Sequence, residues 1–255
     1  MRLHGKTALV TGATSNIGRA IAVAFGAEGA HVVVSGRSRA RGDEVVAAIR
    51  AAGGKADFVA ADLDGSAQAS RELAAEAAGV LGGRIDILVN NAGIFPGDRT
   101  PATDEKTFDQ VYAVNVKAPF FLTAAVAPEM AARGSGAIIN LGSWVARLGR
   151  LGVGALYAST KGAVETLTRA WSAEFGASGV RVNAISPGVI RTPDLDPSVQ
   201  HPAEVMMRGT PAGRVGTPDA IAHAAVYLAS DEAEFVHGTV IDVDGGRVGA
   251  AVLAV

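Results

Sequence analysis

The chain has 255 residues, a formal net charge of -2 and a hydrophobic fraction of 49%, which fits one large α/β domain with a substantial core. The near-neutral charge leaves no footprint for a nucleic acid or an anionic membrane. Cysteine is absent and the five histidines show no ligand spacing, so disulfide bonds and thiolate metal sites are excluded and no metal is expected.

No targeting segment is recognisable in residues 1–10, which pass almost directly into a strand without an apolar core of secretory type. The longest apolar region, residues 118–132, is interrupted by Pro119, Pro128 and Glu129. It is shorter than the roughly 20 residues that span a bilayer. We therefore expect a soluble, cytoplasmic protein with no membrane partner.

The N-terminal segment has the pattern of a strand, a turn, a helix and a second strand. Thr7–Val10 and His31–Ser35 are short apolar strands, and Arg19–Glu28 has helical periodicity. Residues 11–18 between them carry two glycines, so backbone N–H groups at the helix N-terminus could face a phosphate. Two glycines alone could merely permit a tight turn, but their place between strand and helix favours nucleotide binding.

The alternation of strands and helices continues along the chain. Helices are predicted over residues 43–52, 66–80 and 108–133, and strands over 55–60, 85–89, 137–141 and 180–185. Ser66 is the expected N-cap of its helix, and Asn115 lies inside the longest one. Apolar strands interleaved with helices imply a parallel sheet covered on both faces. No domain boundary interrupts the pattern, so residues 1–255 are interpreted as a single domain.

Polar or glycine-bearing segments follow the predicted strands. They are residues 12–18, Asp62, residues 90–93, Ser143, Pro187 and Gly188. Ligands bind beyond the carboxyl ends of parallel strands, where the winding reverses, so these residues should gather at one edge and form a site. The proline-rich stretch 189–217 comes after the sixth strand and is interpreted as a substrate lid.

Tyr157 and Lys161 are four residues apart at the start of a proline-free run with helical periodicity. On a helix they would share a face. A fixed cation favours the phenolate of a tyrosine, whose free pKa is about 10, and brings the group closer to acid–base work. Such a pair is more often a half-buried aromatic ring beside a lysine stem, so this interpretation depends on the rest of the chain.

In this order and spacing, the motifs resemble those of the short-chain dehydrogenase/reductase family over essentially the whole chain. The matching residues are Thr11, Gly12, Gly18, Asp62, Asn90, Asn91, Ala92, Gly93, Asn115, Ser143, Tyr157, Lys161, Pro187 and Gly188. The resemblance implies a single-domain Rossmann-type α/β fold, a doubly wound parallel sheet of about seven strands with helices on both faces, ending in the strand Thr239–Val243. Asn16 replaces the family's middle glycine, and since asparagine tolerates left-handed backbone angles the turn should still form.

The resemblance implies an NAD(P)-dependent oxidoreductase that moves a hydride between a nicotinamide and a carbonyl or secondary alcohol. Tyr157 would donate the proton in reduction, and Lys161 would lower its pKa and bind the nicotinamide ribose. Ser143 would stabilise the developing alkoxide, and Asn115 would hold a water linking Lys161 to solvent. The implied cofactor contacts also include Gly12, Thr14, Ser15, Asn16, Ile17, Gly18, Arg37, Asp62, Leu63, Asn90, Ala92, Gly93, Pro187, Gly188, Ile190 and Thr192.

The end of the second strand favours NADP(H) over NAD(H). An acidic residue there would bind the ribose hydroxyls, whereas an arginine accommodates the 2′-phosphate. Here Arg37, with Ser38 and Arg39 as second contacts, precedes the first acid, Asp43. Against this preference, Ser15 stands where the family's other basic determinant would lie, and arginine stacking on adenine is compatible with NAD.

The substrate stays open among simple ketones, 3-oxoacyl thioesters, sugars and steroids. Arg147 or Arg150 could meet an anionic group, although surface arginines are the commoner case. An enoyl reductase would need a wider Tyr–Lys spacing, and an extended-type epimerase a larger C-terminal domain. The alternative from another class is a catalytically silent dinucleotide sensor.

A homo-oligomer is expected, with a tetramer favoured and a dimer open. Residues 248–255 are almost wholly apolar, and a free apolar tail is unfavourable in water. The resemblance implies pairing through the helices that carry Asn115 and Tyr157 and through the C-terminal end. The competing interpretation is a tail packed on its own subunit or disordered.

Overall fold

In a computed structural model, residues 1–147, 154–192 and 202–250 are described, and they form one seven-stranded parallel sheet. The strands are β1 (Thr7–Val10), β2 (His31–Gly36), β3 (Lys55–Ala60), β4 (Ile87–Asn90), β5 (Gly136–Leu141), β6 (Val180–Pro187) and β7 (Val240–Val243). Their order in space is β3-β2-β1-β4-β5-β6-β7, with every pair parallel. The chain thus winds outward in both directions from β1 and β4, which confirms the predicted doubly wound sheet.

Helices cover both faces of the sheet. They are α1 (Asn16–Ala27), α2 (Arg39–Ala51), α3 (Ala67–Val80), α4 (Glu105–Tyr112), α5 (Ala118–Arg133), α6 (Ala155–Phe175) and α7 (Pro218–Ala229). One apolar cluster packs α1, α2 and α7 on the sheet, with Phe25 at its centre. A second packs α3, α5 and α6 on the opposite face, around Leu122 and Trp171. This placement confirms the predicted layers.

Three helices begin several residues earlier than the sequence predicted. Helix α1 begins at Asn16 rather than Arg19, and α2 begins at Arg39 rather than Asp43. Helix α4 begins after Asp104, whose side chain accepts a hydrogen bond from the Thr107 N–H at 2.7 Å. In each case the first turn carries a single apolar residue, Ile17, Ala40 or Phe108, so periodicity alone did not reveal it. Helix α7 had no predicted counterpart.

The predicted Ser66 N-cap is confirmed: its side chain accepts a hydrogen bond from the Ala69 N–H at 3.1 Å. The long helix predicted over residues 108–133 is interrupted. A π-helical turn, Ala113–Lys117, joins α4 to α5, and Asn115 is buried inside it. Such turns occur often at functional sites.

In the part of the chain that the structure describes, one helical stretch is long and apolar enough, by length and composition, to cross a membrane. It is Glu105–Arg133, 29 residues with a mean hydropathy of 1.3 in its most apolar window. Nearly half of that window is buried inside the fold, as in the core helix of a globular protein. The stretch is therefore weak evidence for a membrane segment.

Candidate active site

The turn between β1 and α1 is shaped so that only small residues fit. Gly12 has a φ of 61°, and a Cβ added to it would lie 2.9 Å from the Ala92 Cα. A Cβ on Gly18 would lie 2.3 Å from the Gly12 carbonyl oxygen. Asn16 has a φ of 44°, the single positive value among the described non-glycine residues, which confirms that asparagine can replace the family's middle glycine here.

Side chains beyond the neighbouring strand β4 hold this turn. The Thr11 hydroxyl donates to the Val89 carbonyl at 3.1 Å and accepts from the Asn91 N–H at 3.0 Å. The Asn91 side-chain amide donates to the carbonyl oxygens of Thr11 and Gly12 at 2.8 and 3.1 Å. These bonds leave the N-terminal amides of α1 directed at the sheet edge, the arrangement that binds a pyrophosphate.

A cleft of about 770 Å³ runs along this edge, a volume in the range of ligand sites. It brings together most of the sequence-predicted residues: Gly12, Thr14, Ser15, Asn16, Ile17, Gly18, Arg37, Asp62, Leu63, Ala92, Gly93, Ser143, Tyr157, Lys161, Pro187, Gly188 and Ile190. Three predicted residues are not on its wall: Asn90, Asn115 and Thr192. The turn and the cleft therefore fit a dinucleotide.

Asn90 lies behind the wall. Its side-chain amide donates to the Asn140 side-chain oxygen at 2.9 Å and to the Thr123 hydroxyl at 3.3 Å. Asn140 in turn donates to the Thr168 hydroxyl at 2.9 Å. This buried polar chain links β4, β5, α5 and α6, so Asn90 supports the floor of the cleft.

The second basic group at the adenosine end differs from the prediction. Arg39, the expected second contact, stacks with its guanidinium carbon 5.2 Å from the Phe58 ring centroid, and Ser38 caps α2. Arg41 instead lines the cleft together with Arg37. Because α2 begins at Arg39, earlier than predicted, residues 39 and 41 point in different directions. The spacing of four residues between Arg37 and Arg41 was the feature of the sequence that could have indicated Arg41 as the second basic contact.

The reacting end of the cleft carries Ser143, Tyr157 and Lys161. Ser143 is buried and precedes a short 3₁₀ turn, Trp144–Ala146. Burial raises the pKa of Tyr157 to about 12, while a hydrogen bond with Ser143 acts in the opposite direction. Burial lowers the pKa of Lys161 to about 8. The Phe95 ring packs on Tyr157 with a centroid distance of 4.9 Å.

The expected lowering of the Tyr157 pKa by Lys161 is not what the structure shows. The Lys161 ammonium donates to the Leu141 carbonyl at 2.7 Å and lies 5.5 Å from the centroid of the Tyr157 ring. It therefore faces the ring rather than the hydroxyl, and desolvation dominates. In this state Tyr157 is a neutral phenol, which holds a proton rather than accepting one.

Asn115 makes three hydrogen bonds within the protein. Its side-chain oxygen accepts from the Ile94 N–H at 2.9 Å, and its side-chain amide donates to the Ile94 carbonyl at 3.0 Å and the Thr160 hydroxyl at 3.2 Å. The side chain is therefore engaged in tying the segment after β4 to α6, and both amide hydrogens have protein acceptors. The side-chain oxygen keeps a second lone pair, so the predicted water beside Lys161 stays a prediction.

Arg147 is compensated within the chain. Both terminal nitrogens of its guanidinium donate to the Asp242 carboxylate, one of them at 2.9 Å. Its Nε lies 3.9 Å from a carboxylate oxygen of the buried Glu165, whose pKa is raised by burial. The hypothesis that Arg147 meets a substrate anion is thus not supported, and Arg150 lies outside the described residues.

Fold and cleft together define the class of protein: a dinucleotide-binding α/β enzyme with Tyr157 and Lys161 on a helix beside the cleft. No cluster of histidine, aspartate and glutamate able to hold a metal ion occurs within residues 1–147, 154–192 and 202–250.

Comparison with known proteins identifies the family. A family model described as enoyl-(acyl carrier protein) reductase matches residues 12–247. Galactitol 2-dehydrogenase (L-tagatose-forming) of Cereibacter sphaeroides is 42% identical, with 96% of each chain covered. A 3-oxoacyl-[acyl-carrier-protein] reductase of Thermotoga maritima is 37% identical over 97% of this chain and 100% of the relative.

A solved structure assigned as an NAD(P)-dependent gluconate 5-dehydrogenase from Beutenbergia cavernae, with NADP at low occupancy, is also similar. It has a TM-score of 0.88 and 40% identity, and the match covers 97% of this chain and 98% of that one. The chain belongs to the short-chain dehydrogenase/reductase family, and it is an NAD(P)-dependent oxidoreductase acting between a carbonyl and an alcohol. The family and reaction class predicted from the sequence are confirmed.

Proposed function

We propose that this enzyme is an NADP(H)-dependent reductase of a small ketone, with Tyr157 as its proton donor. The observation that carries the proposal is that Tyr157 stands with the buried Ser143 and Lys161 at the end of the dinucleotide cleft. A nucleotide sensor would have no need of a proton donor held neutral in such a place. Residues 1–255 would act as a single domain, with 189–217 as the lid.

Each catalytic side chain has a distinct part in the reaction. A bound nicotinamide supplies the hydride in reduction and accepts it in oxidation. Tyr157 donates its proton to the carbonyl oxygen as negative charge develops there, and Ser143 donates a second hydrogen bond to that oxygen. The Lys161 ammonium stabilises the phenolate left behind and binds the nicotinamide ribose. Asn115 fixes the segment beside Lys161.

A panel of carbonyl compounds tests this assignment. We expect reduced-nicotinamide absorbance to fall with wild-type enzyme, and Tyr157→Phe to lose turnover by at least about 10³-fold because the ring remains but its proton is gone. The mutant should bind NADPH as wild type does, measured by nucleotide fluorescence. Near-native turnover in Tyr157→Phe would contradict the role, and wild-type NADPH binding without turnover on any carbonyl or alcohol would favour the silent sensor.

Preference for NADP(H) rests on two exposed arginines at the adenosine end, Arg37 and Arg41, and on the absence of an acidic residue at the end of β2. A guanidinium pairs well with a phosphate. Arg37→Ala and Arg41→Ala should each lower kcat/KM for NADPH about 10- to 100-fold and leave that for NADH nearly unchanged. Arg39→Ala is the matched control, since that side chain packs on Phe58. A wild-type preference for NADH would overturn the proposal.

For the substrate we favour a hydroxylated or oxo-acid carbon chain over a steroid. Three similar proteins are named for galactitol, for gluconate and for 3-oxoacyl thioesters, and these compounds carry a secondary alcohol or ketone within a linear chain, whereas a further relative is named for a cyclic diol. Phe95 and Ile190 offer apolar walls at the cleft. A screen of ketoses, keto acids and 3-oxoacyl thioesters separates these classes, and turnover confined to cyclic ketones would contradict the preference.

The proposed assembly is a homotetramer, with a dimer as the alternative. A groove of about 640 Å³ separates α5 from α6, where Phe120 is 42% exposed and Gly162 and Ala163 would allow close approach of a second helix pair. Strand β7 is a half-exposed sheet edge. Light scattering at micromolar concentration should give four subunits, and a monomer would refute the proposal. The proposed location is the cytoplasm, as the sequence predicts.

A further inference from the structure

Arg247 is a half-buried arginine whose charge has no acidic partner within the part of the chain that the structure describes. Its guanidinium carbon lies 5.1 Å from the centroid of the Trp144 ring. Its Nε is buried and makes no hydrogen bond to any described residue. A desolvated donor of this kind costs free energy until a partner arrives, so the side chain is prepared for an anion.

The turn that carries Arg247 is fixed by its own aspartate. Asp244 is buried, and its two carboxylate oxygens accept the N–H groups of Gly246 and Val248, each at 2.8 Å. That carboxylate is therefore occupied in holding the loop, while Arg247 extends from it to Trp144. Asp244 thus stabilises the turn through backbone N–H groups and does not pair with the Arg247 guanidinium.

The position of this turn is at the reacting end of the cleft. Trp144 follows Ser143 directly and is buried in a small apolar cluster with Val189, Met207 and Val215. Val189 stands between two residues that line the cofactor cleft. The Gly188 N–H donates to the Val243 carbonyl at 3.0 Å, and a Cβ on Gly188 would lie 2.5 Å from the Asp244 Cα. Arg247 is not on the wall of the cofactor cleft, but it packs on Trp144, the residue next to Ser143 at the reacting end.

Arg147, which directly follows the 3₁₀ turn Trp144–Ala146, is a nearby arginine with a structural role. Arg147 is paired with Asp242 at bidentate geometry and with Glu165 nearby. Its charge is compensated by two carboxylates of the fold. Arg247 has the same neighbourhood and lacks such a partner, so the two guanidinium groups have different functions.

We infer that Arg247, supported by the Trp144 ring, binds a carboxylate on the substrate, which makes the substrate a keto acid or hydroxy acid. This inference rests on the proposed reductase function. A guanidinium stacked on an aromatic face keeps its edge free for two parallel hydrogen bonds to a carboxylate. One guanidinium balances the single charge of a carboxylate, whereas a phosphate monoester carries about 1.5 to 2 charges at pH 7.

The test compares each keto acid that the enzyme reduces with its own methyl ester. Arg247→Met should raise KM for the acid about 10- to 100-fold and change kcat/KM for the ester by less than about threefold. Arg247→Lys should recover part of the affinity for the acid, since it keeps the charge without the planar fork. Arg71→Met, which removes an exposed charge on α3 away from the cleft, is the matched control and should leave both substrates unchanged.

Other outcomes overturn the inference in recognisable ways. Equal losses on acid and ester, in both Arg247→Met and Arg247→Lys, would make Arg247 a positioning residue for Trp144. A larger loss for a phosphorylated ketose than for the keto acids would assign the site to phosphate. Wild-type turnover of neutral ketones without preference for acids would reject the carboxylate and leave the proposed reductase intact. No turnover of any carbonyl or alcohol would reject the proposed function itself.

Discussion

The two ends of the cofactor cleft are built in different ways. The phosphate end comes from one continuous stretch, β1 to β2, and its contact surface is backbone that glycines keep bare. The reacting end is assembled from segments far apart in sequence: the turn after β5, helix α6, the residues after β6 and the turn after β7. Its surface consists of side chains.

This difference separates what is general from what is particular in the enzyme. Backbone N–H groups recognise any dinucleotide phosphate, so the first end fixes the class of cofactor. Side chains choose the substrate, and here burial changes their acid–base properties: the pKa of Tyr157 rises to about 12 and that of Lys161 falls to about 8. Mutations at the two ends should therefore fail in different measurable quantities.

The largest effect is expected at the reacting end. Ser143→Ala should lower kcat about 10²- to 10³-fold because a hydrogen bond to the developing alkoxide is lost, while the dissociation constant for the nucleotide stays close to that of wild type. Steady-state kinetics and nucleotide titration measure the two quantities. A negligible change in kcat would reassign Ser143 to packing. A weakened nucleotide affinity would contradict the claim that mutations at the two ends change different measurable quantities.

The same end should be a source of instability. The pKa of Lys161 lies near 8 in the fold against 10.5 for a solvent-exposed lysine, so a charged ammonium is buried at neutral pH. Below about pH 8 the full penalty is present; between pH 8 and 10.5 the unfolded chain binds more protons, and the free energy of unfolding rises with pH. Lys161→Met should raise that free energy at pH 7 by up to about 3 kcal/mol.

Denaturant unfolding of the nucleotide-free enzyme at pH 7 and at pH 9.5 measures this. The free energy of unfolding of wild type should rise between pH 7 and pH 9.5, and that of Lys161→Met should rise much less. We expect the mutant to be inactive. The lost hydrogen bond to the Leu141 carbonyl offsets part of the increase. A mutant less stable than wild type at pH 7 would show that this bond outweighs the cost of burial.

A smaller effect is expected at the phosphate end. Gly18→Ala places a methyl group 2.3 Å from the Gly12 carbonyl oxygen, and the backbone must shift at a cost of about 1–3 kcal/mol. Nucleotide affinity should fall by a similar free energy. Gly79→Ala, in the last turn of α3 with nothing within 4 Å of the added Cβ, is the control and should be neutral or stabilising. Equal behaviour of both mutants would contradict the backbone-built site.

The sequence predicted the phosphate end better than the reacting end because local pattern decides the first. Gly12, Asn16 and Gly18 occur within one strand–turn–helix unit, and their backbone angles follow from residue type. The choice of Arg41 over Arg39 depends on where α2 begins, and the one apolar residue in its first turn, Ala40, is too little to mark it. The direction of the Tyr157 pKa depends on burial, which a four-residue spacing to Lys161 does not contain.

The same limit applies to tertiary partners. The spacing placed Asn115 on a helix, but a π turn and three hydrogen bonds define its surroundings. Arg147 and Arg247 have the same residue type and contact the same 3₁₀ turn. Only the carboxylates brought by β7 and α6 distinguish them, and those contacts join residues up to 95 positions apart.

The π turn also determines how this helix can tolerate changes in length. Each residue of an α-helix turns the chain by about 100°, so one residue more or fewer in the regular helix α4 would rotate every later side chain of α5 away from the core. A deletion in the turn that relaxed it to regular α-helix would keep α5 seated and remove Asn115 from Ile94. Along Glu105–Arg133, the π turn is therefore the place where the loss of one residue would disturb the packing of α5 least. The consequence of that loss would fall on Asn115, beside the active site.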